Sequence, residues 1–327
     1  MQLIKNRHIF FFILSFLCLV EHAEAKEYLY VTHERRNIVS VIDIKEKKVI
    51  KKIPVGKGPT DIAFYPEKKL IAVSHKDESS EFIYLIDSAT YKIKQKTLTG
   101  ITRHRERGRS HLQFNDNYTR LYAIDDENNH LEIFDTADWK PIKKINLDLR
   151  PMAITFSAAN KEAYIPTLYK GNIHILDLES DAIKDNIVID GAPADVAVSR
   201  DGKTLYISDI VNSSIIIMEL KAKKILKNII IGNRPHRILL SPDGKILYAA
   251  NYHSNNISVI DTERMETIAV IPSGILPFDI ALSKDGRWLY SSNYDESSIS
   301  IIDTKTNKVT EKILVEIYPS RIEFASF

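Results

Sequence analysis

From Tyr28 onward the apolar residues fall in short runs that either alternate with polar ones or are continuous, and none recurs at helical spacing. The stretch from Ala194 to Pro235 shows the pattern most clearly. Asp195–Val198 alternates, Ser199–Lys203 reads as a tight turn with Gly202 at its tip, and Leu205–Asp209 alternates again. Ser214–Met218 is apolar throughout, as a strand buried on both faces would be, and Lys223–Ile231 mixes lysine with isoleucine. Gly232–Pro235 then leads into another copy. Four short β segments make one unit.

The unit repeats. Pro151, Pro193, Pro235, Pro277 and Pro319 are each 42 residues apart, a period that marks a repeat architecture. The second segment occurs seven times, at Leu29, Ile71, Leu121, Ala163, Leu205, Leu247 and Leu289. The third ends on an acid at Asp43, Asp87, Asp135, Asp177, Glu219, Asp261 and Asp303. An all-β, seven-bladed propeller of four-stranded blades follows. After residue 25 the chain starts in a second strand, and Ser320–Phe324 reads as a first strand. The C-terminal strand is therefore expected to complete the N-terminal blade, so that residues 26–327 form one closed domain. Lysines such as Lys51, Lys52, Lys143, Lys144, Lys224 and Lys312 fall in fourth segments, the outer edges of blades, where they oppose edge-to-edge association.

Residues 1–25 stand apart. Lys5 and Arg7 precede an apolar run from Ile9 to Val20, and Ala23-Glu24-Ala25 is a small-x-small site. The run is too short to span a bilayer. It reads as a secretory signal cleaved after Ala25, which places the mature protein in the periplasm or outside the cell. Cleavage removes Cys18, the only cysteine, so stability must come from the core. The formal net charge of +2 argues against a general nucleic-acid binder.

The stretches LYAANYHSNNISVIDTERMETIAVI and LYSSNYDESSISIIDTKTNKVTEKI carry a motif that resembles the YVTN-type β-propeller repeat of secreted and surface-layer proteins. The resemblance covers the whole mature chain and implies a fold related to the haem-d propeller of nitrite reductase, the heavy subunit of methylamine dehydrogenase and propeller lactonases. Many functions sit on this scaffold.

In such a propeller the first strands line the channel. The residues two beyond each repeat proline form an inner ring: Asp61, His111, Ala153, Asp195, Arg237, Asp279 and Arg321. The ends of the second strands form another: His33, His75, Asp125, Thr167, Asp209, Asn251 and Asn293. An insertion at Thr99–Arg109 breaks the period and adds Arg103, His104, Arg105, Arg107 and Arg109. With His33, His75, His111, His236 and Arg237 these make a candidate cationic mouth. Arginine suits a carboxylate or phosphate, and histidine can ligate a metal or haem iron. Asp125, Asp209, Asn251 and Asn293 offer hard oxygens for a divalent cation, though from four separate blades. No Gly-x-Ser-x-Gly, phosphate loop or dinucleotide fingerprint is present. Three functions follow as expectations: a non-catalytic binding or scaffold module for an acidic protein or anionic small molecule, a non-covalent haem-type tetrapyrrole protein, and a metal-dependent lactonase-like hydrolase.

Overall fold

The computed structural model describes residues 26–76, 82–98 and 110–327; the proposed signal segment and the Thr99–Arg109 insertion lie outside them. Twenty-eight strands, numbered β1–β28 in chain order, form seven separate four-stranded antiparallel sheets, with no helix among the described residues. The first blade has the order β28-β1-β2-β3, that is Pro319–Ser326, Glu27–His33, Ile38–Asp43 and Lys48–Pro54. The C-terminal strand thus supplies that blade's inner position, with Tyr28 opposite Ala325 and Leu29 opposite Phe324. In the other six blades the strands follow chain order from channel to rim.

The burial of each strand follows from its composition. Second and third strands are β-branched and Tyr-rich and are sealed on both faces, as in β1 (Tyr30, Val31) and β26 (Ser298–Asp303). Outer strands expose their lysines, and in each only an isoleucine or its equivalent, such as Ile53 or Ile313, turns inward. The apolar core is divided into clusters that lie between neighbouring blades: Leu29, Val31 and Ile42 of the first blade pack with Tyr290, Ile299 and Ile301 of the seventh. Burial is therefore shared around a ring with no free end.

Two local devices position the channel residues. Each repeat proline opens an inner strand, where its missing N–H costs nothing. A β-bulge follows it at once, between Pro59 and Asp61, Pro193 and Asp195, Pro235 and Arg237, and Pro277 and Asp279. The extra residue re-aims the side chain beyond it. The fourth blade departs from this: its inner strand β12 is only Thr155–Ser157, and Pro151 makes an isolated bridge to Thr167. Ala153 stands at that blade's ring position.

Candidate functional site

The inner ring closes the channel. Around it the charges alternate over five positions, Asp195, Arg237, Asp279, Arg321 and Asp61, and the ring is completed by His111 and Ala153. Arg237 Nε lies 3.1 Å from Asp279 and its Nη1 3.3 Å from Asp195. Arg321 lies 3.6 Å from Asp279 and 3.8 Å from Asp61, and donates to His111 Nδ1 at 2.9 Å. Each aspartate also clasps the next blade through a backbone amide. Leu112 N donates to Asp61 at 2.9 Å, Ile238 N to Asp195 at 2.9 Å and Ile322 N to Asp279 at 3.0 Å. Buried charges paired and hydrogen-bonded in this way fix the order and spacing of blades. His111 and Arg237, candidates for an open mouth, therefore sit within this plug.

Burial holds His111 down to about 4, with the Arg321 charge acting the same way, so the imidazole is neutral. Burial would raise Asp61, but the neighbouring His111, the Arg321 charge and the Leu112 amide outweigh this and keep it below its usual range. Glu323, two residues beyond Arg321 on β28, is pushed up to about 8 by burial and by Asp61 and Asp279.

The second ring is committed to local bonds. His75 accepts from Gly56 N at 3.1 Å through Nε2, and its Nδ1 lies 3.3 Å from Phe82 O. His33 is sealed, with Nδ1 3.3 Å from Ile317 O. Burial lowers both to about 4. Asp125 and Asp209 accept backbone amides of their own turns, from Asn128 N at 2.9 Å and Val211 N at 3.1 Å. Asn251 and Asn293 donate to Ser258 and Ser300, at 2.8 and 2.9 Å. Among the described residues no three His, Cys, Asp or Glu side chains converge as a metal set.

These titrations set a pH dependence. Three histidines with folded values near 4 leave the unfolded chain binding more protons below about 6.5, so their contribution is lost as pH falls from there. Glu323 acts oppositely: the folded chain holds its proton, and that stabilisation is lost as pH rises towards about 8. Thermal melts should give a maximum at about pH 6.5, and Glu323→Gln should flatten the alkaline side and steepen the fall towards acid pH. A Tm unchanged between pH 4.5 and 6.5 would contradict the histidine assignment.

Above the plug lies a basin of 560 Å³, within the range of small-molecule sites. Its walls are built one residue beyond each second strand, from Glu34, Lys76, Asp126, Leu168, Ile210, Tyr252 and Tyr294, and from residues flanking the repeat prolines, including Arg150, Met152, Arg234, His236 and Phe278. Of the histidines singled out from sequence, His236 lines this basin.

One half of the wall is charged. Lys76 pairs with buried Glu34 at 2.9 Å, and the Tyr294 hydroxyl donates to the same carboxylate at 3.0 Å. Arg150 lies 3.7 Å from buried Asp126 and donates to the Tyr169 hydroxyl at 2.8 Å. Arg35 stacks over Tyr318 at 4.5 Å, and neither it nor Arg234 has a carboxylate partner among the described residues. The other half, on blades five to seven, is apolar and aromatic. Paired charges thus line one side of the basin, and ring faces with Arg234 at their edge line the other.

The fold and its capped channel define a seven-bladed propeller with a blind basin on one face. The chain belongs to the YNCE-like beta-propeller family, whose model matches residues 22–323. Among curated proteins none matches it. Solved structures similar to it include hydrazine synthase of Kuenenia stuttgartiensis (18% identity, TM-score 0.75, covering 85% of this chain and 92% of that one). A proposed 6-phosphogluconolactonase of Bacteroides fragilis is similar at 13% identity and TM-score 0.75, over 93% and 98% of the two chains. Dihydro-haem d1 dehydrogenase NirN, in its complex with DHE, is similar at 16% identity and TM-score 0.67, over 88% of this chain and 64% of NirN. At these identities the likeness is one of fold.

Proposed function

We propose that this propeller is a binding module that holds an anionic ligand in the mouth basin without transforming it. The observation that carries the reading is the placement of Arg35 and Arg234 at a basin whose own carboxylates, Glu34 and Asp126, already face Lys76 and Arg150. An incoming carboxylate or phosphate would meet guanidinium groups that no acid among the described residues neutralises. Arg103, His104, Arg105 and Arg107 belong to the insertion, outside the described residues, and would add to the same charge if that segment reaches the mouth.

A second observation favours a protein as an additional occupant of this face. Of the sixteen exposed large apolar side chains among the described residues, nine lie on it: Leu98, Val188, Ile230 and Leu314 end outer strands, and Leu149, Tyr169, Val211, Ile275 and Ile317 stand in loops. The other seven lie along outer strands, and none occupies the turns of the opposite face. Exposure confined to one face in this way would suit a protein partner seated there. Were a haem-type tetrapyrrole to enter the basin, His236 is the candidate histidine placed to meet it, because His33 and His75 are sealed below.

Calorimetric titration with citrate, inorganic phosphate, benzoate and 2-naphthoate tests the reading. At least one should bind, and the double variant Arg35→Ala/Arg234→Ala should lose about tenfold or more in affinity while melting within about 2 °C of the parent. Undiminished binding in that variant, or no binding of any probe, would overturn it.

A further inference from the structure

A continuous run of rings forms the wall of the basin on blades six and seven and extends behind it to Tyr318 of blade one. His236 packs on Phe278 at 4.8 Å between centroids, and Tyr252 meets Phe278 at 6.0 Å. Phe278 meets Tyr294 at 5.7 Å, and Tyr294 meets Tyr318 at 5.1 Å. The pairs are tilted or edge-on, the arrangements that ring quadrupoles favour. A guanidinium stands at each end. Arg35 caps Tyr318 at 4.5 Å, and Arg234 precedes the proline that opens the sixth blade, its carbonyl accepting from Tyr252 N at 3.0 Å. Phe278 is the buried hub, while Tyr252, Tyr294 and His236 keep partly open surface towards the basin.

We infer that the ligand is a flat aromatic acid: a small fused or single ring laid against the Tyr252–Phe278–Tyr294 wall, with its carboxylate at Arg234 or Arg35. The inference rests on the reading of the basin as an anion site and narrows it. A flat ring extends the edge-and-face packing already present, and each aromatic contact adds to the area it buries. A sugar acid of the same charge would find a poor fit. Its hydroxyls need carboxylates and amides, and the basin carboxylates are engaged by Lys76, Tyr294 and Arg150. The remaining wall at Ile210 and Val211 is aliphatic.

The test is a set of titrations of the purified protein with 2-naphthoate, cyclohexanecarboxylate, glucuronate and inorganic phosphate. 2-Naphthoate should bind about tenfold tighter than cyclohexanecarboxylate and more tightly still than glucuronate. Tyr252→Ala should weaken naphthoate about tenfold and leave phosphate unchanged. Because Phe278 is buried, Phe278→Leu, which keeps volume without the ring, serves as the second variant and should weaken naphthoate severalfold. If glucuronate or phosphate binds as tightly as naphthoate, the aromatic inference fails and the anion site stands. If naphthoate binds well and both variants leave it unchanged, the ring lies elsewhere and the inference fails. If no probe binds, both readings fail together.

Discussion

Deleting residues 319–327 should abolish the folded monomer. That segment, β28, is the inner strand of the first blade and pairs with β1 from Glu27–Ser326 to His33–Pro319. It carries Arg321 into the channel plug and Ile322 into the core between the first and seventh blades. Phe327 packs on Tyr28 and Phe64, at 5.6 and 5.1 Å between centroids. Without it β1, sealed almost throughout, becomes a long apolar edge strand, the kind of surface that pairs with other chains. The loss of one strand's ladder and packing is comparable to the whole net stability of a domain, about 5–15 kcal/mol. Size-exclusion chromatography should show aggregates and circular dichroism no cooperative melt. A truncated protein that stays monomeric and melts within a few degrees of the parent would contradict closure by this strand.

Asp279→Ala should cost about 3–5 kcal/mol, the range for removing one partner of a buried ion pair. The carboxylate meets Arg237 at 3.1 Å and Arg321 at 3.6 Å and accepts from Ile322 N and Ile280 N, each at 3.0 Å, so its loss leaves two arginines and two amides short of an acceptor. The same change at Asp43 should cost about 1 kcal/mol or less, because that carboxylate only caps Glu46 N in an exposed turn, at 2.8 Å. Urea denaturation of the two variants measures the contrast. Equal losses would show that the channel ring contributes no more than a surface turn.

The architecture was legible because each blade restates the same solution. Prolines 42 residues apart, Gly202-type turns and acidic strand ends mark the units, and a lone second strand at Tyr28 with a lone first strand at Ser320 leaves one way to close. The inner-ring positions were legible too, since the bulge after each proline recurs with the period. Their role was not. That Arg237 reaches both Asp195 and Asp279 depends on distances between neighbouring blades, which no linear spacing encodes. The basin wall carried a signal: Asp126, Leu168, Ile210, Tyr252 and Tyr294 also step by 42 residues, one beyond the second-strand ends. It is masked by chemistry. An aromatic or aliphatic residue beside a buried strand looks like core, and only the tertiary arrangement shows these side chains facing an opening. His33 and His75 show the converse, residue types associated with ligation that instead cap backbone groups inside the blades.

Hydrogen exchange of the protein with and without saturating 2-naphthoate tests the mouth basin most directly as the binding site. The account predicts added protection in the segments around Glu34–Arg36, Arg150–Met152, Arg234–His236 and Tyr252–Ser254, and none in the turns of the opposite face such as Ser199–Lys203. Protection on that opposite face or along the outer strands, with the basin segments unchanged, would contradict it.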